Sequence, residues 1–360
     1  MSAGAAAWLQ RIRDLPLPGR VRIMNVCGGH ERAIAQAGLR AALPPAIELI
    51  PGPGCPVCVC PEGAIRGAIH LALAEGAVVV AFGDMLRVPV TRPIHGVRSL
   101  EEARAAGGEV RPIASPAEAR AAAEAAPART VVFFAAGFET TTAPVAALVA
   151  EGLPENLLLL TACRRTWPAV ALLLDSGTPG FDALVAPGHV SAVMGPEEWA
   201  FVAERHGLPV AVAGFTPESL LAAFHTVLAD HLAGRARLAN RYPAVVRPGG
   251  NRAAQGWIEA VFEVVDAPWR GIGTLPASGY RLRRRYADHD AARRFALPEA
   301  EAEGRMPPGC GCAEVVLGRR TPAQCRLYGQ PCTPRHPVGP CMVSEEGACR
   351  IWWAAGLGRG

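Results

Sequence analysis

The sequence predicts an α/β protein with two doubly wound parallel-sheet lobes and a cysteine-bearing C-terminal region. Short Val/Ile/Leu/Phe-rich runs alternate with Ala-rich segments of helical length, the pattern of βα units that build parallel sheets. The apolar runs end in Gly- or Pro-rich turns that carry thiol, imidazole, carboxylate or hydroxyl groups. Six of the 11 cysteines fall between Cys310 and Cys349.

Taken in order, the expected strands are Val21–Val26, Ala46–Ile50, Ala77–Phe82, Val131–Ala135, Leu157–Ala162, Ala183–Ala186 and Val210–Ala213. Helices are expected at Glu31–Leu39, Pro61–Glu75, Thr142–Glu151, Pro168–Leu174, Pro196–Arg205 and Pro217–Leu232. Several start on a proline, whose missing N–H costs nothing in a first helical turn. A chain of 360 residues exceeds the size at which single cores stop growing, about 250–300 residues. The charged, Pro-containing stretch Arg111–Arg129 reads as a break between two βα sets. The resulting expectation is a first lobe over residues 1–120, a second over 121–245, and a C-terminal region over 246–360 that returns to the first lobe.

Composition excludes several classes. All 36 basic residues are Arg, which reads as coding bias, and the net charge of +4 is modest. The one dense basic run, Arg281 to Arg285, reads as a solvated face, so nucleic-acid binding is not expected. The apolar runs, such as Thr130–Phe138, are strand-sized, and the first residues lack the flanks of a secretory signal. A cytoplasmic, non-membrane protein is the expectation. In a reducing compartment clustered thiols point to a metal site ahead of a disulfide scaffold.

The chemistry sits in the turns just beyond the strands. Val21–Val26 runs into Cys27-Gly28-Gly29-His30, and Ala46–Ile50 into PGPGCPVCVC with Cys55, Cys58 and Cys60. Later runs lead to Gly83-Asp84, to GFETTT with Glu139 and Thr140, and to Pro187-Gly188-His189. In open α/β sheets the ligand crevice lies beyond the carboxyl ends of the strands, so these groups are aimed at one cleft. Taken singly, His189 or Glu139 fits a satisfied structural residue equally well. Cys55 and Cys58, two residues apart in a backbone stiffened by Pro and Gly, suit a redox dithiol or half a metal site. Cys27 as a thiolate suits a soft metal such as Fe(II), Cu(I) or Zn, whereas Cys163 reads as structural.

The tail spacing is Cys310-x-Cys312, then twelve residues to Cys325, six to Cys332, eight to Cys341 and seven to Cys349. It contains neither a C-x-x-C zinc pair nor the C-x-x-C-x-x-C ferredoxin run. Single cysteines in Gly/Pro-rich loops can still converge on one iron–sulfur cluster, and spacing alone leaves that choice open.

Seven ordered segments resemble the HypD family of [NiFe]-hydrogenase maturation proteins. They are IMNVCGGH, PGPGCPVCV, FGDMLRVP, VVFFAAGFETTTAP, APGHVS, VAGF and the tail GCAEVVLGRRTPAQCRLYGQPCTP…GPCMVSEEGACRIWW, spanning Arg22 to Trp353. The resemblance implies two Rossmann-like lobes plus a region holding a [4Fe–4S] cluster, and a scaffold for assembling an Fe(CN)2(CO) unit. It implies a small HypC-type partner, with the iron held through Cys27, and cyanide arriving from a HypE-type donor with HypF upstream. The large hydrogenase subunit is then an indirect partner. Such a protein is a redox-active scaffold more than a turnover enzyme.

By the same resemblance, Cys312, Cys325, Cys332 and Cys349 are the expected cluster ligands. Cys310 and Cys341 resemble an extra pair seen in some members, and a second redox dithiol is the expectation for them. Cys55 and Cys58 become the cleft dithiol, and His30, Asp84, Glu139, Thr140 and His189 position cyanide, move protons or orient Cys27. Cys60 departs from the family pattern and complicates the pairing of Cys58. Two other classes explain part of the chain: a thiol–disulfide or electron-transfer protein without organometallic iron, and a zinc-stabilised interaction protein.

Overall fold

Val131–Gly137 is buried along its whole length, with Phe133 and Phe134 facing opposite sides of the strand and both inaccessible. A strand apolar on both faces requires cover on both, the condition of a parallel sheet flanked by helices. Burying each Phe contributes roughly 1.5–3 kcal/mol. A computed structural model describes residues 2–177, 180–298 and 306–358, and it contains two such sheets.

The first sheet has five strands in the order β2-β1-β7-β8-β9, formed by Val21–Asn25 (β1), Ile47–Pro51 (β2), Ala183–Pro187 (β7), Val210–Ala213 (β8) and Leu238–Asn240 (β9). The second has four in the order β4-β3-β5-β6: Val78–Phe82 (β3), Val110–Ile113 (β4), Val131–Gly137 (β5) and Leu157–Cys163 (β6). Every pairing within these two sheets is parallel. The α/β class with two Rossmann-like parallel sheets is therefore the observed fold.

The lobes are not consecutive in sequence. After β2 the chain leaves the first sheet, builds the whole second sheet, and rejoins the first at β7. The expected boundaries at 120 and 245 therefore do not match the sheets: one lobe is inserted into the other. The expected break at Arg111–Arg129 is also corrected, because it holds β4 and the helix Pro116–Glu124. β4 escapes notice because it is a four-residue edge strand whose centre, Arg111-Pro112, is exposed, and proline is tolerated at a sheet edge.

Beyond residue 246, the helix Arg252–Val261 and an antiparallel hairpin of Phe262–Trp269 (β10) and Gly273–Leu282 (β11) join the second lobe. Arg165 N donates to Ser278 O, tying β11 to the end of β6. The cysteine tail then crosses to the first sheet, where the helix Ala348–Ala354 packs on the helix Gly28–Gln36. Trp352 Nε1 donates to Glu31 at 2.7 Å, and Arg40 pairs with the same carboxylate at 2.7 Å. No helix among the described residues is long and apolar enough to cross a membrane.

Strand order explains where the motifs lie. In the first sheet β1 sits between β2 and β7, so successive connections depart in opposite directions there; in the second, β3 and β5 play the same part. Ligand crevices open at such switch points. Cys27 follows β1 and His189 follows β7, while Asp84 follows β3 and Glu139 follows β5.

Candidate functional site

Cys27 takes the N-cap position of the helix Gly28–Gln36, its backbone extended at φ −161° and ψ 126°. Two glycines let other chain segments close around it. A side chain at Gly54 would collide with the Cys27 backbone, and one at Gly28 with the backbone of Glu346. The CPVC loop and the tail thus reach Cys27 because these positions lack Cβ atoms. Asn25, Cys27, Cys55, Cys58, Cys341 and Glu346 line the resulting narrow cleft.

Burial pushes the Cys27 thiol up to about 12, and the neighbouring Glu346 carboxylate adds to the shift. The amides of His30 and Gly29, in the first helical turn, act in the opposite direction. A soft cation replacing the thiol proton would be favoured by that carboxylate. Glu346 is itself raised by burial and by Asp84, with Arg32 opposing. Cys55 and Cys58 are joined as a disulfide, the only one among the described residues. Cys55 caps the short helix Pro56–Val59 by accepting from Cys58 N at 3.2 Å.

His30, His189 and Asp84, expected at the same cleft, lie around it and not in its lining. His30 Nε2 donates to Ala213 O at 3.0 Å, so its buried Nδ1 carries the lone pair and has no partner. Burial lowers its pKa to about 4, which keeps the ring neutral. Phe215, following β8, lies between His30 and His189, with ring centroids 4.9 Å and 3.9 Å away. Asp84 accepts from Ser344 Oγ at 3.0 Å and from Glu345 N at 3.1 Å, which fixes the tail segment that covers Gly28.

Glu139 and Thr140 lie elsewhere. Glu139 is fully buried and accepts from Thr166 N at 2.7 Å and Thr166 Oγ1 at 2.6 Å, fastening its helix to the turn after β6. Burial raises its pKa, against the hydrogen bonds from Thr166. Glu198 stands near it, pushed up to about 8 by burial and then by the Glu139 charge. Neither Glu139 nor exposed Thr140 lines the Cys27 cleft.

The six tail cysteines form one linked set. Cys310 stands beside Cys312 and Cys325, and Cys341 beside Cys312 and Cys349, close enough for each thiol to perturb its neighbours. Cys332 lies within electrostatic reach of Cys310 and Cys341. Cys310 and Cys341 are free thiols, each set against neighbours from the expected ligand group and not bonded to each other. Backbone amides donate to the sulfurs: Gly311 N to Cys325 and Val338 N to Cys332 at 3.3 Å, and Cys349 N to Cys341 at 3.2 Å.

Clustered thiols with amide donors fit an iron–sulfur cluster, whose potential depends on such hydrogen bonds. A polynuclear group takes each thiolate at a different iron, so its cysteines surround a volume. No group of three or more His, Cys, Asp or Glu among the described residues is arranged to hold a single metal ion. The division of the six into four ligands and a pair rests on the sequence resemblance.

Sequence reasoning missed Asn25, Phe215, Glu346 and Arg270. Asn25 is 1% exposed and neither of its amide atoms has a hydrogen-bond partner, although it lines the cleft two residues before Cys27. A polar residue inside an apolar strand, IMNV, was the available signal. Cys60 is buried between Arg164 and Arg270, and Cys163 donates to Ala135 O within the core at 3.5 Å.

A family model, HypD, described as "Hydrogenase formation hypA family", matches residues 4–356. The chain is 41% identical over 347 residues to the "Hydrogenase maturation factor HypD" of Azotobacter vinelandii, covering 94% of this chain and 90% of that protein. It is 40% identical over 345 residues to the protein of the same name in Rhodobacter capsulatus, with 94% and 90% covered. With that of Cupriavidus necator it shares 38% identity over 356 residues, covering 96% and 92%.

Proposed function

This chain belongs to the HypD family of hydrogenase maturation factors, and from that premise we propose that it is the scaffold on which the Fe(CN)2(CO) unit of a [NiFe] hydrogenase is assembled. The observation that carries the reading is the cleft in which Cys27, the Cys55–Cys58 disulfide and Cys341 meet. The reading takes Cys27 as the metal-binding thiol and Cys55–Cys58 as the redox pair beside the cysteine-rich tail.

The iron is cargo. Cys27 anchors it by one soft thiolate, which leaves its other positions open to diatomic ligands. A small HypC-type partner completes the holding of the iron, and a HypE-type protein, charged through HypF, delivers cyanide as a thiocyanate. The assembled unit passes on toward the large hydrogenase subunit.

Releasing cyanide from sulfur balances against the dithiol. Converting a thiocyanate to a thiol and hydrogen cyanide consumes two electrons and two protons, the number that Cys55 and Cys58 give up in closing their disulfide. The disulfide is then the product state of that step. Asn25 offers an unspent amide to a small polar ligand, and neutral His30 offers Nδ1 as a proton acceptor. Cys312, Cys325, Cys332 and Cys349 would hold a [4Fe–4S] cluster, which supplies electrons to this site when bound.

Metal analysis of anaerobically prepared variants tests the assignment. Cys27→Ala should keep its iron and acid-labile sulfide in cluster proportion and lose the additional cargo iron, whereas Cys349→Ala should lose sulfide first. Equal losses in both would remove the division of labour.

A further inference from the structure

Arg270 stands at the tip of the hairpin, between β10 and β11, and is 1% exposed. A guanidinium carries its charge at every physiological pH and offers five N–H donors. Burying it is costly unless both charge and donors are met. Here Nη2 alone is engaged, donating to Pro89 O at 2.8 Å and approaching Glu62 at 3.4 Å. Nε and Nη1 have no partner. Glu62 is itself shared, accepting from Thr91 N and Thr91 Oγ1 at 2.8 Å each. One divided carboxylate leaves the cation short of compensation, and buried groups left so demand an explanation.

The neighbours supply it. Cys312, Cys60 and Cys310 lie within electrostatic reach of the Arg270 guanidinium. The hairpin tip is pressed against the helix Cys312–Val316: a side chain at Gly271 would come within 3.0 Å of Ala313. Arg270 N also donates to Val59 O at 3.0 Å, next to the CPVC disulfide. A single buried cation therefore stands between the tail cysteines and the cleft loop.

We propose that Arg270 is a positioning residue for the iron–sulfur centre, its unspent N–H groups and its charge favouring the reduced form. This role rests on the assignment of a [4Fe–4S] cluster to the tail cysteines. Four thiolates make such a centre anionic, and each added electron increases the negative charge in a site largely shielded from solvent. A fixed cation beside it stabilises the reduced state more than the oxidised one, and net charge and hydrogen bonds to sulfur are what set these potentials.

The test is a redox titration of anaerobic, cluster-loaded protein with dithionite and mediators, read by electron paramagnetic resonance. Arg270→Met should lower the reduced-to-oxidised ratio at a fixed potential at least about tenfold, a shift of about 59 mV to more negative values for one electron. Arg270→Lys, which keeps the charge, should recover most of that shift. Glu62→Gln removes the competing carboxylate and should move the potential the opposite way, a result available even if Arg270→Met fails to fold. Unchanged potentials in Arg270→Met, or in Glu62→Gln where the first variant does not fold, would overturn the inference. Parent protein that binds no iron and sulfide would instead overturn the cluster assignment beneath it.

Discussion

Asp84, beyond the last residue of β3, accepts a hydrogen bond from the hydroxyl of Ser344 in the tail at 3.0 Å. The contact joins the switch point of the second sheet to the segment that covers Cys27 at the switch point of the first. Two lobes with separate cores are thus clamped over one thiol by a third part of the chain.

Removing the clamp should loosen the cleft without unfolding either lobe. Hydrogen bonds to a charged acceptor contribute about 1.5–3 kcal/mol each, net of the bonds to water they replace. For Asp84→Ala we expect faster amide hydrogen exchange confined to residues around Ser344–Gly347, with maturation of a client hydrogenase reduced. Exchange identical to the parent in that segment would show that the tail is held by other contacts.

Gly54→Ala is expected to destabilise by about 1–3 kcal/mol, because the added methyl overpacks against the Cys27 backbone and neither segment can move without opening the cleft. Gly256, whose Cβ would meet nothing within 4 Å, provides the control: Gly256→Ala lies in the helix Arg252–Val261 and should not destabilise. Chemical denaturation of both variants distinguishes local crowding from a general effect of the exchange.

The Glu198 carboxyl gives a pH signature outside the metal-binding region. Its pKa is about 8 in the folded protein against an ordinary 4.5, through burial and the Glu139 charge, with Arg165 opposing and Tyr280 nearby. The folded state therefore holds the proton more tightly, so this contribution is fully present below the ordinary value and is lost as pH rises through the folded one. Glu198→Gln should be more stable than the parent at about pH 9 and differ little at about pH 4, measured as melting temperature. A parent-like decline in the variant across that window would assign the slope to other groups.

Asn25→Leu keeps the size of a buried side chain and removes its two unspent polar atoms. Protein stability should hold or rise, since an unsatisfied buried amide is costly, while delivery of ligands to the iron falls. A variant less stable than the parent by denaturation, with undiminished maturation, would make Asn25 a structural residue.

The central strands could be read from the sequence because parallel, doubly covered strands are continuous apolar runs; Val210–Ala213 has the bounds that the sequence predicts. β4 and the three-residue β9 lie at sheet edges and lack that signature, and the hairpin β10–β11 mixes exposed and buried positions. Chain order could not reveal the insertion of one lobe into the other, because each βα unit looks alike until its strand finds neighbours. The placement of Cys27, Cys55, Cys58, Asp84 and His189 beyond strand ends was legible in the sequence. Glu139 was read the same way, yet its side chain turns inward to Thr166, a choice made by tertiary contact. Arg270 reads locally as a turn residue in PWRGIG, and only the packing of the tail on the hairpin makes it buried.

Infrared spectroscopy addresses the scaffold function most directly, on anaerobic protein co-expressed with a HypC-type partner and the cyanide-making proteins. Stretches of metal-bound CO and cyanide are expected in the parent complex, and their loss in Cys27→Ala while the iron–sulfur absorption remains. Absence of those bands in a parent complex with an intact cluster, or their persistence in Cys27→Ala, would contradict a scaffold built on Cys27.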